Sequence, residues 1–291
     1  MVLQLLANGI VTGCVYALVA LGLGLIYNTT RIFHIAHGIV YTFSAYMFYT
    51  FVRSLGLNVL PSFLLGVISA VVLGIMIEAF LYWPFFKKRA SLMIVFISSL
   101  GVYIFLVNLI AMLYGNETKV LSPGVERTFH IGSMILTRIQ ILEILAFVLL
   151  FPLFVFVLKT TKLGKLIRAL SDNPTLLTVL GADVRKLRIW IFGLGSFLAG
   201  VASCLTALDV GLDPHVGMEA FLMAAVSMIV GGIGNFEGAA LGALILGIVQ
   251  NMLIWKISAR WTEALAFLIL VLFLLFRPEG LMGRRRRLEE V

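Results

Sequence analysis

Nine apolar runs divide this chain, and they constrain its fold more than any other feature of the sequence. The runs, with loose ends, are Leu3–Tyr27, Ile35–Val52, Val59–Phe86, Leu92–Tyr114, Ile139–Leu158, Leu187–Leu208, Met218–Val230, Ala239–Trp255 and Glu263–Phe276. A helix needs about 20 mostly apolar residues to cross a bilayer, and most of these runs approach or exceed that length. The sequence therefore predicts an all-α polytopic membrane protein with about eight or nine transmembrane or re-entrant helices.

The composition excludes a soluble globular domain. Of the 291 residues, 61% are hydrophobic and 12% are charged, whereas a soluble domain is about half apolar and about a quarter charged. A bilayer is the solvent that accepts so much apolar surface, so we expect a single membrane domain over residues 1–291. The first apolar run has no Lys or Arg before it, and we interpret it as the first membrane helix, not as a cleaved signal peptide.

The distribution of basic residues predicts an orientation. With the N-terminus outside and every run crossing, 16 of the 22 Lys and Arg residues lie on the cytoplasmic side, the clustered ones among them. Cytoplasmic loops carry an excess of Lys and Arg, so we expect the C-terminus in the cytoplasm. This distribution explains the net charge of +8 without a nucleic-acid partner. The segment Arg284–Arg287, beside the last run, is placed to meet anionic lipid headgroups.

Two loops are long enough to carry a function of their own. The outer loop, about residues 115–138, contains Pro123 and Gly124 and has weak β character. The inner loop, about residues 159–188, is basic and amphipathic. The two loops differ in charge and pattern, and we expect the inner one to contain a helix.

The inner loop carries the signals of a short helix. Pro174 suits the first helical position, Asp172 or Asn173 suits the N-cap before it, and Gly181 suits the end. Three leucines would form the apolar stripe of this helix: Leu176, Leu177 and Leu180. A short amphipathic helix at the cytoplasmic face fits the groove of a partner; a solvated connecting loop is the alternative interpretation.

Glycines cluster after the seventh run, at Gly231, Gly232, Gly234 and Gly238. They do not form a dinucleotide-binding loop, because the third glycine of that motif is due at Glu237 and no strand precedes the segment. The spacing of a Walker phosphate-binding loop is absent as well. We interpret the segment as a tight reversal between two short membrane helices. If ATP drives this chain, another chain must bind the ATP.

The first run combines small and polar residues. Gly9 and Gly13 are four residues apart, a spacing that lets membrane helices approach closely. Asn8, Thr12 and Tyr16 recur every four residues on one helix face. Polar groups inside a membrane need protein or water around them, so these three side chains either line a translocation pathway or hydrogen-bond to neighbouring helices.

Other candidate residues lie in the second run and near the run ends. His34 and His37 are three residues apart, but no third ligand is near in sequence, so we favour a polar pair that lines a cavity over a metal site. We count His37 and Gly38 among the pathway candidates. Cys14 and Cys204 lie in apolar runs and favour neither a zinc site nor a disulfide framework. A proton-driven pump would need acidic residues in the middle of the membrane. The acidic residues of the runs lie instead near the run ends, which argues against such a pump; they are Glu78, Glu143, Asp209, Glu219 and Glu263.

A set of residues spread over nearly the whole chain has a recognisable order and spacing. Its members are Asn8-Gly9, Gly13, Tyr16-Ala17-Leu18, Ala20, Gly22, Ile26-Tyr27, Ala36-His37-Gly38, Glu78, Tyr82, Pro84, Gly164, Arg168-Ala169, Asp172, Leu180-Gly181, Arg185, Gly231-Gly232-Ile233-Gly234, Gly238-Ala239, Gly242, Leu246-Gly247, Pro278, Gly280-Leu281 and Gly283. Together they resemble the LivH-type permeases, which are membrane subunits of ABC importers for branched-chain amino acids.

The resemblance implies an assembly in the cytoplasmic (inner) membrane of a bacterium or archaeon. Two homologous permeases pair, the second being LivM-like. Two ABC ATPases bind to them, and a periplasmic or extracellular binding protein delivers the solute. The segment expected to dock on the ATPase then contains Arg168, Asp172, Pro174, Leu177 and Gly181. We expect this chain to hold no cofactor or metal and to leave ATP hydrolysis to its partner.

The resemblance implies import of branched-chain or other apolar amino acids. Urea and short-amide permeases of the same ABC class share the architecture and much of the residue pattern, so they are the first alternative. An ion-gradient-driven secondary transporter is a second alternative, motivated by the polytopic shape alone. An intramembrane enzyme is a third, but the scattered histidines and acids form no recognisable catalytic set.

Overall fold

The computed structural model describes residues 1–121, 127–255 and 261–283. Two features singled out in the sequence lie outside these described residues: the Pro123–Gly124 pair of the outer loop and the segment Arg284–Arg287. The basic residues Lys256 and Arg260, which the orientation assigns to the outer side, are outside them as well.

The described residues form an all-α bundle with one small hairpin. The helices, in chain order, are α1 (Val2–Thr30), α2 (His37–Arg53), α3 (Val59–Ile77), α4 (Trp83–Lys87), α5 (Leu92–Tyr114), α6 (Arg138–Thr160), α7 (Lys162–Asp172), α8 (Pro174–Val179), α9 (Val184–Asp209), α10 (Val216–Gly231), α11 (Phe236–Ile254) and α12 (Thr262–Phe276). A π-helical turn at Glu78–Tyr82 joins α3 to α4. The hairpin pairs β1 (Thr128–Ile131) antiparallel with β2 (Met134–Thr137), within the outer loop.

All nine apolar runs fall on helices, which confirms the all-α polytopic fold. Among the described residues, six helical segments are long and apolar enough to cross a membrane, judged by length and composition. One of these combines α3, the π-helical turn and α4, and the shorter apolar helices are α10 and α12. The number of eight or nine crossings remains a prediction.

The start of α1 defines what we call the near end of the bundle. Gln4 exchanges two hydrogen bonds of 2.8 Å with the backbone of Ile135 in β2. Thr137, which caps α6, donates to the Asp209 carboxylate at the end of α9 over 3.3 Å. The hairpin, the start of α6 and the end of α9 therefore all lie at the near end.

The end of α1 defines the opposite, far end. Ser171 in α7 donates to the carbonyl of Asn28 near the end of α1 over 2.7 Å. Lys159, near the end of α6, forms an ion pair of 2.6 Å with Glu237 in the first turn of α11. Helices α7 and α8 thus lie at the far end, away from the hairpin.

Helix α1 runs through the middle of the bundle, and small residues allow its neighbours to pack closely against it. A Cβ atom on Gly9 would lie 2.6 Å from the Cα of Ile248 in α11, and one on Gly13 would lie 2.8 Å from the Cα of Leu244. These backbone contacts leave no room for a side chain. The spacing of Gly9 and Gly13 therefore has the packing role that the sequence indicates.

The outer helices present their large apolar side chains to the surroundings. Phe80, Phe105, Phe156 and Phe276 are each more than half exposed. In water so much exposed apolar area would be a liability. On a membrane protein it is the surface that faces lipid or a second membrane subunit.

Candidate functional site

A cavity of about 450 Å³ lies at the near end of the bundle; we call it the chamber. Its lining residues come from α1, α2, α6, α9, α10 and α12 and from the residues that adjoin α9 and α10. They are Val11, Thr12, Val15, Tyr16, Tyr41, Glu143, Thr206, Asp209, Val210, Val216, Glu219, Ala220, Met223, Thr262 and Glu263. A ligand site of this volume falls within the usual range for small molecules, about 300–1,000 Å³.

Helix α1 places two of its three periodic polar side chains in the chamber wall. Thr12 donates to the carbonyl of Asn8 over 3.0 Å and accepts from the side-chain amide of Asn251 over 3.2 Å. Tyr16, one turn further on, also lines the chamber. Asn8 is not among the lining residues; its side chain accepts a hydrogen bond of 3.0 Å from Gln4.

His37 and Gly38 lie deeper in the bundle, outside the chamber lining. The ring of His37 is fully buried and neither ring nitrogen has a hydrogen-bond partner of ordinary geometry among the described residues. A Cβ on Gly38 would lie 2.7 Å from the carbonyl oxygen of Gly217 in α10. These two positions are therefore points of tight contact between α2 and its neighbours, and the structure does not bring them together with Thr12 and Tyr16.

The neighbouring His34 belongs to a buried polar chain, not to a metal site. Its Nδ1 lies 2.7 Å from the hydroxyl of Tyr82, which donates to Ser99 over 2.8 Å. The Ser99 hydroxyl also accepts from the backbone N–H of Ala36 over 2.9 Å. Within the described ranges no three His, Cys, Asp or Glu side chains are grouped to hold a metal ion.

Four carboxylates meet at the chamber: Glu143, Asp209, Glu219 and Glu263. Glu219 and Glu263 are exposed and stand at its mouth, and Asp209 is half-buried. Glu143 is only 2% exposed and forms no hydrogen bond or ion pair with a described residue. Among the described residues that line the chamber there is no Lys, Arg or His, so its electrostatic character is strongly acidic.

The sequence interpretation noted these acids one by one but did not group them. Each is near the end of a different apolar run, and up to 120 positions separate them. The signal that could have grouped them is the alternation of helix direction. Successive helices run in opposite directions, so the first residues of some runs lie at the same end of the bundle as the last residues of others. Glu143, Glu219 and Glu263 lie near the starts of such runs, and Asp209 lies at the end of one.

A buried ion pair at the far end joins α9 to the π-helical turn. The guanidinium of Arg188 binds the carboxylate of Glu78, with Nη2 to Oε2 at 3.0 Å and a second contact from Nε to Oε1. Both side chains are almost fully buried, and the guanidinium lies 4.8 Å from the ring centroid of Phe86. The sequence interpretation had placed Arg188 among the loop cations and Glu78 near a run end, so it missed this pair.

The inner loop folds into α7 and α8, with the short helix where the sequence predicts it. The side chain of Asn173 caps α8 by accepting from the backbone N–H of Leu176 over 2.9 Å, and Pro174 is the first helical residue. Gly181 follows the end with a φ of +85°, in the left-handed region that glycine adopts without strain.

The predicted apolar stripe of α8 is wrong in one respect, because its members do not share a face. Leu177 is buried against the bundle, whereas Leu176 and Leu180 are 55% and 74% exposed. Val179 is 79% exposed beside them. One leucine therefore anchors the helix, and an apolar patch of Leu176, Val179 and Leu180 points away from the rest of the chain. We call these three residues the docking patch.

The contacts of α7 hold this segment against the ends of α1 and α6. The Arg168 guanidinium donates to the carbonyl of Leu158. Gly164 is buried against the same carbonyl, which a Cβ atom would overlap. Asp183 caps α9 by accepting from the backbone N–H of Lys186 over 3.1 Å, and this hydrogen bond lowers the pKa of its carboxyl.

A second, smaller cavity of about 260 Å³ lies behind α8. Its lining includes Arg31 after α1, Asp172 and Pro174 of the inner loop, and Arg188 of the buried ion pair. Asp172 is exposed at its edge. The segment therefore borders both the end of α1 and the ion pair.

The four glycines form the reversal between α10 and α11. Gly232 and Gly234 have φ values of +109° and +97°, and a Cβ on Gly231 would overlap the carbonyl of Gly238. The side chain of Asn235 caps α11 by accepting from the Gly238 N–H over 2.9 Å. These glycines therefore serve a tight turn and a close helix contact.

Comparisons with known proteins agree along the whole length of the chain. A family model described as "Branched-chain amino acid transport system / permease component" matches residues 5–274. The chain is similar to the high-affinity branched-chain amino acid transport system permease protein BraD of Pseudomonas aeruginosa, with 30% identity covering 97% of this chain and 96% of that protein. It is similar to LivH of Escherichia coli K12, with 28% identity over the same shares.

A solved structure shows a related fold. PsaBC from Streptococcus pneumoniae, in complex with Fab, superposes with a TM-score of 0.50 and 13% identity. The match covers 94% of this chain and 91% of that chain. At this identity the likeness concerns the fold alone.

Proposed function

We infer the function of this chain from its family: it belongs to the permease components of branched-chain amino acid transport systems. It is therefore a multi-pass protein of the inner membrane and the permease component of an ABC importer for branched-chain amino acids. We propose further that the whole of residues 1–291 is one permease domain, which works with a homologous second permease, two ABC ATPases and a solute-binding protein.

The observation that carries this proposal is the separation of two features along the bundle. The chamber lies at the near end, where α1 begins, and the docking patch lies at the far end, where α1 finishes. An importer needs a solute entrance on one side of the membrane and an ATPase contact on the other. A single set of helices that spans both ends can transmit motion between them.

The docking patch has the properties of a protein contact. Leu176, Val179 and Leu180 are exposed at the tip of a short, capped helix that stands on a buried leucine. Arg168 and Asp172 flank it and supply charge at the rim. A short helix of this kind inserts into a groove of a partner, and we assign the groove to the ATPase.

We propose that the buried ion pair carries ATPase motion into the membrane helices. Arg188 follows α8 by a few residues and binds Glu78 in the π-helical turn that joins α3 to α4. Movement of α8 therefore pulls on the start of α9. The ion pair then passes this movement to the π-helical turn and so to α3. Closing and opening of the two ATPases would in this way switch the permease pair between outward and inward access.

The proposed orientation puts the far end in the cytoplasm. Arg31 and Arg188 line a cavity there with residues of the inner loop, and Lys159 lies at the same end. Basic residues are retained on the cytoplasmic side. The chamber then opens toward the solute-binding protein.

The test is ATP hydrolysis by the complete complex, reconstituted with its binding protein. Leucine should raise the hydrolysis rate severalfold, and urea should leave it at the basal level. A complex that responds to urea and not to leucine would move the chain to the short-amide alternative. Leucine transport by this chain alone, driven by an ion gradient without ATPase, would contradict the ABC assignment altogether.

A further inference from the structure

We propose that the chamber binds the ammonium group of the solute, with Glu143 as its partner. The inference rests on the proposed function and deepens it, because it names the part of the solute that the permease recognises. An ammonium-bearing apolar solute matches both the apolar and the acidic residues of the lining, whereas a neutral amide lacks the charge that these acids attract.

Part of the chamber lining is apolar. Its residues are Val11, Val15, Val216, Ala220 and Met223. A branched aliphatic side chain gains about 25 cal/mol for each Å² of apolar surface that it buries. The chamber volume of about 450 Å³ accommodates one small amino acid.

The lining also carries four carboxylates, and Glu143 is the informative one. At 2% exposure, this side chain is shielded from bulk solvent, it faces the chamber, and among the described residues it has neither a hydrogen-bond donor nor a cation. A buried carboxylate without partners is costly, so it indicates a place where something else supplies the donors. An ammonium group brings three N–H donors and the opposite charge.

The other acids give the chamber a graded entrance. Glu219 and Glu263 stand exposed at the mouth and repel each other, and Asp209 repels Glu143 further in. Clefts lined by one sign of charge concentrate ligands of the opposite sign. A solute amine is therefore drawn from the mouth toward Glu143.

The same geometry excludes the competing ligands. A metal ion needs several ligands around one point, and the described residues contain no such group of three acids, histidines or cysteines. Urea carries no charge, so its N–H groups form only neutral-donor hydrogen bonds with these carboxylates, which are weaker than those of an ammonium group. Since Glu143 lies further in than the exposed Glu219 and Glu263, an amino acid bound to Glu143 has its ammonium group inward and its carboxylate toward the mouth.

The experiment is saturation-transfer difference NMR on the purified assembly of the two permeases and the two ATPases, with leucine as the probe and the solute-binding protein left out because it binds leucine itself. Weak binding at millimolar concentration is within its range. The matched ligand control is 2-hydroxy-4-methylpentanoate, which keeps the apolar side chain and the carboxylate but replaces the ammonium group by a hydroxyl. The wild-type complex should give a strong signal with leucine and a signal weaker by about tenfold with the hydroxy acid, since tenfold corresponds to about 1.4 kcal/mol.

Two substitutions locate the effect. Glu143→Gln should reduce the leucine signal to that of the hydroxy acid. Glu237→Gln is the control, because Glu237 is an exposed glutamate at the far end that pairs with Lys159, and it should leave the signal unchanged. Equal signals for leucine and the hydroxy acid on the wild-type complex would overturn the proposal, and this comparison does not depend on whether Glu143→Gln assembles. An unchanged leucine signal in an assembled Glu143→Gln complex would also overturn it.

The outcome is separable from that of the proposed function. A complex whose ATP hydrolysis responds to leucine, but whose leucine signal is insensitive to Glu143→Gln, would retain the importer function and lose the ammonium site. A complex whose ATP hydrolysis does not respond to leucine at all would contradict the proposed importer function itself.

Discussion

At the scale of single residues, burial decides what a charged or small side chain does in this bundle. Glu143 and Glu78 are both almost fully buried, yet Glu78 has Arg188 as a partner and Glu143 has none among the described residues. The first arrangement is typical of a structural ion pair. The second is typical of a binding site, because a ligand is needed to complete it.

The ion pair makes a prediction about stability. Arg188→Met leaves the Glu78 carboxylate buried and unpaired, which should destabilise the protein by about 3–5 kcal/mol. The double variant Arg188→Met with Glu78→Met replaces both charges by apolar side chains of similar length. It should recover most of that loss, because neither charge then remains to be desolvated.

Thermal melting of the detergent-purified protein measures this effect. The single variant should melt well below wild type and the double variant close to wild type. If the proposed coupling is correct, the double variant will be stable but slow in transport. A single variant as stable as wild type would show that the pair is solvated and not buried.

At the scale of helices and loops, the sequence predicts well those features that are determined by residues close together in the chain. The nine apolar runs, the cap at Asn173, the start of α8 at Pro174 and the turn at Gly181 all depend on neighbouring residues, and the structure confirms them. The face that α8 turns outward depends on how it packs against the bundle. The prediction of a common stripe for Leu176, Leu177 and Leu180 failed for that reason.

Local sequence patterns did not predict the features that form between segments distant in the chain. The chamber draws lining residues from six helices, and no period in the sequence links Glu143 to Glu263. The π-helical turn at Glu78–Tyr82 has no distinctive composition. The pairing of Thr12 and Tyr16 in one wall was predictable, since both lie on one face of α1, whereas the position of His37 away from them was not.

The docking patch makes a prediction at this scale. Val179→Asp places a charge on the most exposed apolar residue of the patch, so it should reduce copurification of the ATPase by about tenfold, the effect of losing roughly 1.4 kcal/mol of contact. Folding should be unaffected, because Val179 is 79% exposed in the described part of the chain.

Leu55→Asp is the matched control. Leu55 is 62% exposed and lies between α2 and α3, at the near end. The same change of an exposed apolar residue to aspartate should there leave ATPase copurification at the wild-type level. Equal retention of the ATPase by Val179→Asp and Leu55→Asp would argue that α8 is a solvated connection.

At the scale of the whole molecule, the proposed importer function requires that the two ends of the bundle face opposite sides of the membrane. The chain has two cysteines, Cys14 and Cys204, and both are buried. A new cysteine at Val179 or at Leu55 is therefore the reactive one. A membrane-impermeant maleimide should label Val179→Cys only in inside-out vesicles stripped of the ATPase, which otherwise covers this position, and Leu55→Cys only in intact cells.

The reverse labelling pattern would place the docking patch outside and overturn the orientation. Labelling of both cysteines from one side would contradict the passage of the bundle across the membrane. The expected pattern would agree with the clustering of basic residues at the far end, which follows from the sequence alone.

The most direct measurement of the central claim is leucine uptake into proteoliposomes that contain the complete complex, with an ATPase subunit that binds ATP but cannot hydrolyse it. The described part of this chain offers no phosphate-binding loop, and its glycine turn at residues 231–238 is occupied by its own helix contacts. If the ATPase partner supplies the energy, as proposed, uptake should stop while binding of the partner persists. Continued uptake against a leucine gradient with the inactive ATPase would contradict the account.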